Sequence, residues 1–102
     1  MMTIEAFSAS VLAAGPPADA GPAVQALWWL RKGNWDRAHQ CVQQHEGKAD
    51  CDWVHAHLHR QEGDLDNARY WYRRAHREPA SEPLTDEWTA IARALLTQAG
   101  KE

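Results

Sequence analysis

Apolar residues recur every three or four positions along nearly the whole chain, which is the spacing of amphipathic helices. No stretch alternates apolar and polar residues over five or more positions, so the pattern predicts no β-strand. Capping residues, glycines and prolines divide the periodic segments and predict helices at about 4–14, 22–32, 35–46, 51–61, 65–77 and 85–98. The predicted fold class is all-α, with five to six antiparallel helices joined by short connections.

Polar caps and glycines are expected to set the boundaries of these helices. Five polar residues precede or open periodic segments and are expected at the helix N-termini: Thr3, Asn34, Asp50, Asp64 and Thr85. Gly33 and Gly63 are expected at or just past a helix C-terminus, because glycine readily adopts the positive φ that ends a helix tightly. The prolines of segment 15–22 interrupt the pattern and predict a linker or surface loop.

A six-residue pattern occurs twice in the middle of the chain, at an offset of 30 residues. Residues 33–38 read GNWDRA and residues 63–68 read GDLDNA, so both contain Gly, a polar cap, a large apolar residue, Asp, any residue and Ala. A helix–Gly turn–helix unit repeated at fixed spacing is typical of α-solenoids. We expect Ala38 and Ala68 to allow close helix contact, with Trp35, Leu65 and Tyr72 filling the space between helices.

At these residues the chain resembles the tetratricopeptide-repeat family, whose unit is two antiparallel helices over about 34 residues. The second unit matches at seven positions: Ala56, Gly63, Leu65, Ala68, Tyr72, Ala75 and Pro79. The first unit matches at four: Ala26, Gly33, Trp35 and Ala38. Val42 and His45 stand where the family has an aromatic residue and an alanine. The resemblance implies an α-α superhelix fragment, with an N-terminal helix and linker over 1–21, two helix pairs over 22–79 and a C-terminal capping helix over 80–102.

Six tryptophans are a large number for 102 residues. They either fill the core or form an aromatic groove or self-association patch. We expect at least two of them to be substantially exposed and to form one patch, because exposed aromatic residues are favoured anchors of binding surfaces. The candidate partner-binding residues are Trp29, Trp53, His55, His59 and Trp71.

Cysteine and histidine positions raise the alternative of a metal-binding or redox-responsive helical protein. Each of two predicted helices carries a Cys–His pair four residues apart, and the four side chains would be Cys41, His45, Cys51 and His55. This spacing matches none of the common zinc patterns, so we expect no metal and no cofactor. Among His55, His57 and His59, alternate side chains point apart on a helix, which leaves His55 and His59 as the better ligand pair.

Arginines lie four apart at positions 69, 73 and 77 of the predicted fifth helix. They predict either a basic stripe for an acidic partner or nucleic acid, or solvated side chains that interact with the C-terminal end of the helix dipole. Since the stripe occupies a single helix and the formal net charge is −3, we do not expect a nucleic-acid partner.

Composition and missing motifs narrow the functional classes. The 102 residues suffice for one domain, and no phosphate-binding loop or nucleophile elbow is present, so we expect no enzyme. The N-terminal apolar stretch is too short for a bilayer and lacks the basic residues of a leader, which favours a cytoplasmic protein without membrane contact. The sequence therefore favours a small non-catalytic interaction module. Its expected partner is a protein or peptide, with a homodimer as the variant.

Overall fold

The computed structural model describes the backbone of residues 2–99 and the side chains of residues 2–97. The ends of the predicted segments 1–21 and 80–102 lie outside the described residues. The described chain contains no strand, which confirms the all-α prediction. Its helices are α1 (Ile4–Ala9), continued by a 3-10 turn (Ser10–Leu12), then α2 (Pro22–Arg31), α3 (Trp35–Gln43), α4 (Ala49–Gln61), α5 (Leu65–Arg74) and α6 (Leu84–Ala99).

Three of the five predicted capping residues cap their helices. Asp50 and Thr85 do not, and Thr85 lies inside α6, which begins at Leu84. The side chains of Thr3, Asn34 and Asp64 each accept a hydrogen bond from the backbone N–H three residues on, at 3.0–3.3 Å. Asp50 does not cap α4, because that helix begins earlier and already includes it in its first turn. Asp52, which lies within α4, links this helix to the preceding turn, because its Oδ1 accepts a hydrogen bond from the N–H of Gly47 at 3.1 Å.

The two predicted glycine turns have the same geometry. Gly33 has φ 94° and Gly63 has φ 88°, and each follows the C-terminus of its helix as predicted. In both turns the glycine N–H donates to the carbonyl three residues back, and the next N–H donates to the carbonyl five residues back, at 2.9–3.1 Å. These bonds satisfy the last carbonyls of one helix while the next residue caps the following helix.

Three helices end earlier than the apolar pattern indicates. α1 ends at Ala9 and its 3-10 continuation at Leu12, short of the predicted residue 14. α3 ends at Gln43 and α5 at Arg74, about three residues short of the predicted ends. In α5 the reason is visible, because His76 adopts a φ of 58° and the Arg77 N–H turns back to the Tyr72 carbonyl at 2.9 Å. Arg77 therefore leaves the helix, and the predicted arginine stripe is limited on α5 to Arg69 and Arg73.

The core is organised around α4, which packs against α2, α3, α5 and α6. One large buried cluster joins α4 to α1, α2, α3 and α6; its largest fully buried side chains include Phe7, Leu27, Trp28, Val42, Val54, Leu58 and Ile91. A smaller cluster between α4 and α5 contains Ala56, Ala68, Trp71 and Tyr72. None of the described helices combines the length and the apolar character that crossing a bilayer requires.

The terminal helices belong to the large cluster. Phe7 of α1 stacks on Trp88 of α6 at 5.8 Å between ring centroids, and the Trp88 Nε1 donates to the Leu27 carbonyl at 3.0 Å. The apolar side of α6 is buried and contains Trp88, Ile91, Ala92, Leu95 and Leu96. This face packs against α1, α2 and α4, so within the described residues α6 covers one helix of the predicted second unit but does not reach the backbone of the other, α5.

The outward side of α5 is consequently uncovered. In the described chain the α5 backbone comes close to α4 but to no other helix. Leu65, expected to fill the space between helices, is 54% exposed because no further helix packs beyond its turn. The inward side follows the prediction, since Ala68, Tyr72 and Ala75 are buried.

Substitution of Ala68 by Leu tests the close contact between α4 and α5. Ala68 is buried in the smaller cluster, so the larger side chain should lower the free energy of unfolding by about 1–3 kcal/mol through overpacking. Urea unfolding measures the change. The matched control is Ala90→Leu at an exposed position of α6, which should cost no more than about 0.5 kcal/mol. Equal stability of both variants would contradict the close packing of Ala68.

Candidate functional site

Three histidines occupy alternate positions on the central helix, and all three are buried. His55, His57 and His59 are 2%, 2% and 6% exposed. Their side chains separate as the helical geometry predicts: His57 meets α6, whereas His55 and His59 meet a histidine of α3. Buried imidazoles require polar partners, so each ring selects a particular neighbour.

His39 of α3 completes a group of three imidazoles with His55 and His59, which we call the histidine cluster. The Nε2 atoms of His39 and His55 are 3.0 Å apart. The three ring centroids are 4.8–5.3 Å from one another. One nitrogen from each ring lies within 4.8 Å of the corresponding nitrogens of the other two.

Two tryptophans flank the histidine cluster and restrict the orientation of its rings. Trp35 stacks on His39 at 4.9 Å with an interplanar angle of 8°, and its Nε1 donates to the Leu58 carbonyl at 2.9 Å. Trp71 of α5 stacks on His55 at 3.9 Å with an angle of 14°. The cluster therefore lies between aromatic rings of α3 and α5.

The imidazoles of His39 and His55 are held in their neutral form. Burial, followed by the nearby rings of His39 and His59, lowers the pKa of His55 to about 3. Burial also lowers the pKa of His39, and the neighbouring His59 contributes in the same direction. The buried Nδ1 of His55 has no hydrogen-bond partner among the described residues.

His59 is oriented by residues of the turn and of α5. Its Nδ1 lies 2.6 Å from Oε2 of Glu62, which assigns the proton of the neutral ring to Nδ1. Its Nε2 is then an acceptor, and the nearest donor is the Asn67 Nδ2 at 3.4 Å. This contact is long for a hydrogen bond, so the Nε2 lone pair is weakly used.

A separate polar centre forms around Glu87 at the start of α6, where the carboxylate is 2% exposed. Oε1 accepts from Nδ1 of His57 at 2.7 Å and from Nη1 of Arg60 at 2.9 Å, and Oε2 accepts from the Tyr72 hydroxyl. Burial alone raises the pKa of Glu87, but the hydrogen bonds of these three donors outweigh burial and lower it. The carboxylate links α6 to both α4 and α5.

The expected exposure of tryptophan was wrong. Trp28, Trp71 and Trp88 are buried, and Trp29, Trp35 and Trp53 are half-buried, so none of the six is largely exposed. Arginine side chains cover two of the half-buried rings. The guanidinium of Arg37 lies 4.6 Å from the Trp29 ring, and that of Arg77 lies 3.7 Å from the Trp53 ring.

The five candidate partner-binding residues divide into two groups. Trp29 and Trp53 reach the surface beneath arginines, as described above. His55, His59 and Trp71 are buried in the histidine cluster and its aromatic wall, which corrects the expectation that they lie at the surface. The reason is that α3 and α5 both pack against the side of α4 that carries His55 and His59.

The Cys–His set weighed from the sequence does not assemble as a group of mutually close ligands. His55 turns to His39, and the set of Cys41, His45, Cys51 and His55 is not among the close ligand groups of the described chain. Burial raises the pKa of Cys51 to about 11 and also raises the pKa of Cys41. Both changes reduce the thiolate fraction on which redox reactivity depends.

Sequence reasoning identified His55 and His59 as a pair but missed His39. The sequence feature that could have indicated His39 is the order of the helices, because α3 immediately precedes α4 and so can pack beside it. The rotation of α3 that points His39 at the i, i+4 pair depends on tertiary packing, which the periodicity alone does not specify.

Comparisons with known protein families, characterised proteins and solved structures find no significant match for this chain.

Replacing Glu87 by Gln should destabilise the fold strongly, because three donors lose a buried, charged acceptor. We expect a loss on the order of 3–5 kcal/mol in urea unfolding at pH 7. The exposed Glu78→Gln is the matched control and should change stability by less than about 0.5 kcal/mol.

The difference in unfolding free energy between wild type and Glu87→Gln should depend on pH. The pKa of Glu87 is lowered in the folded state, so its stabilisation is present above the ordinary value of 4.5 and is lost as pH falls through the folded pKa. The stability gap between wild type and Glu87→Gln should therefore narrow below pH 4.5. A gap that stays constant down to the acid transition would contradict this role of the carboxylate.

The thiols should be poorly reactive in the folded chain. Cys51 is buried with a raised pKa, and we expect it to react with a disulfide reagent at pH 7 roughly tenfold or more slowly than in urea-unfolded chain. Cys41, which is half-buried, should react first. Single Cys→Ser variants assign the two rates, and fast labelling of Cys51 would contradict its burial.

Proposed function

We propose that this protein is a non-catalytic protein-interaction module built on tetratricopeptide-like helix pairs, and that the outer face of α5 binds an acidic segment of a partner protein. We define this outer face by five residues: Leu65, Arg69, Tyr70, Arg73 and Arg74. The observation that carries the proposal is that this helix side combines exposed apolar groups with a concentration of positive charge.

The repeated turns support the helical-repeat part of the proposal. Gly33 and Gly63 have nearly equal φ angles and the same hydrogen-bond pattern, and each is followed by a capping side chain. Ala38 and Ala68, at equivalent positions, are both buried. α2 packs with α3 and α4 packs with α5, in the order expected for two consecutive units.

The second unit ends without the cover that the first unit receives. Trp35 of the first unit is half-buried and donates to the Leu58 carbonyl of α4. Leu65 stands at the equivalent position of the second unit and is 54% exposed. Tyr70, one turn further on, is 44% exposed. A solenoid presents such an uncovered end to a capping element or to a partner.

Charge favours an acidic partner on this face. Arginines occupy positions 69, 73, 74 and 77 in a chain whose formal net charge is −3. Arg69 pairs with Asp66, and Arg74 lies 3.9 Å from the buried Asp52. Arg73 has no carboxylate within salt-bridge distance in the described part of the chain. Carboxylates of a partner would complement this surface, while an apolar side chain would cover Leu65 or Tyr70.

Selection from a random-peptide phage library on the full chain tests the proposal. We expect the selected peptides to be enriched in Asp and Glu with an apolar residue, and to bind more weakly as salt concentration rises. Arg69→Glu/Arg73→Glu should reduce their affinity at least about tenfold, because like charges then face each other. Tyr70→Ala should weaken binding with little change in the free energy of unfolding.

Arg93→Glu on α6 is the matched charge reversal at another exposed site, and it should leave peptide binding unchanged. Selected peptides without acidic enrichment, or equal binding by the α5 and α6 variants, would contradict the proposal. If light scattering instead shows a dimer that Arg69→Glu/Arg73→Glu dissociates, the occupant of the face is a second copy and the acidic-segment assignment is wrong.

A further inference from the structure

The histidine cluster has the composition of a metal site. It brings together three imidazoles from two helices, and borderline metal ions of the zinc type favour nitrogen donors. Mg²⁺ and Ca²⁺ prefer oxygen ligands, so the cluster does not suit them. We propose that His39, His55 and His59 bind one divalent transition metal ion of the zinc class.

The distances fit such an ion after small ring movements. Zinc–nitrogen bonds of about 2.0–2.1 Å in a tetrahedron place the ligand nitrogens about 3.3 Å apart. His39 and His55 already have their Nε2 atoms at 3.0 Å, and all three rings offer a nitrogen within 4.8 Å of the others. His39 is only half-buried, so the cluster reaches the surface and an ion has a path of entry.

Neighbouring side chains orient the rings of the cluster, as they commonly do around metal-binding histidines. Ligating histidines commonly donate their other N–H to a carboxylate, which orients the ring and directs the free nitrogen at the metal. His59 has this arrangement, since Glu62 holds its Nδ1 while Nε2 has only the long contact with Asn67. Trp35 and Trp71 keep the other two rings stacked.

Hydrogen bonding among the histidines accounts for the cluster only in part. One hydrogen bond between His39 and His55 employs a single N–H and a single lone pair. It leaves the Nε2 of His59 with only a 3.4 Å contact. A metal ion would be bound by the Nε2 lone pair of His59, which otherwise accepts only this long contact.

A second group of close ligands shares one member with the cluster. Glu62 and Asp64 lie near His59, but both carboxylates are exposed, and Asp64 already caps α5. Glu62 is also engaged with the Nδ1 of His59. The three-histidine set is therefore the better zinc site, and substitution of His39 distinguishes the two because His39 belongs only to that set.

Zinc titration of the full, tag-free chain by calorimetry tests the proposal, with cobalt absorption as the readout of tetrahedral nitrogen coordination. We expect one ion per chain and a rise in melting temperature on adding zinc. Glu62→Gln should weaken zinc binding by about 10–100-fold by removing the orienting carboxylate. His39→Ala should weaken binding at least as much.

His45→Ala removes a histidine outside the cluster and should bind zinc like the wild type. Circular dichroism and thermal melting without metal establish that each variant is folded. Glu62 also belongs to the second group of close ligands, so the test should His39→Ala unfold is His39→Gln, which keeps a polar side chain at this half-buried position. No zinc binding by the wild type would overturn the proposal. A zinc affinity of His39→Ala equal to that of the wild type would also overturn the proposal, because the ion would then be bound by another ligand set.

Discussion

The burial of three histidines on a single central helix is the constraint on which much of the architecture depends. α4 is surrounded by α2, α3, α5 and α6, so its three buried histidines cannot rely on bulk water for hydrogen bonds. His57 draws Glu87 of α6 into the core, His55 meets His39 of α3, and His59 meets Glu62 in the following turn. Each pair positions a neighbouring element, so the same contacts that provide hydrogen bonds for the buried imidazoles also fix how the elements pack. An apolar α4 would pack as densely but would specify the rotation of α3 and α6 less closely.

Local signals in the sequence predicted the helices because those signals act within a few residues. Thr3, Asn34 and Asp64 cap helices through their own side chains, and Gly33 and Gly63 end helices through their own φ angles. The inner face of α6 was equally predictable from its apolar spacing. The exposure and the contacts of a side chain also depend on which other helix packs against it, and local signals do not predict that. Leu65 is exposed because α6 packs elsewhere, and His39 entered the cluster through the rotation of α3.

Tryptophan exposure illustrates the same limit in more detail. The six tryptophans of this 102-residue chain led to the prediction of a surface patch. The structure accommodates them differently, since Arg37 and Arg77 lie over the rings of Trp29 and Trp53. A guanidinium on an aromatic face gains a cation–π interaction while its aliphatic stem shields the ring from water. Residue counts cannot anticipate this arrangement, because it depends on where the arginine-bearing segments turn, as at His76.

α5 connects the two features that distinguish this molecule chemically. Its inward side supplies Trp71 to the wall of the histidine cluster and Asn67 to the edge of His59. Its outward side carries the exposed arginines and Tyr70, and Arg74 extends over the Trp71 ring at 5.3 Å from its centroid. The Trp71 indole therefore lies next to both His55 and a guanidinium of the outer face. The amphipathic division of α5 keeps the two environments chemically distinct, because imidazoles among aromatic rings favour a neutral, nitrogen-donating site whereas solvated arginines favour an anionic partner.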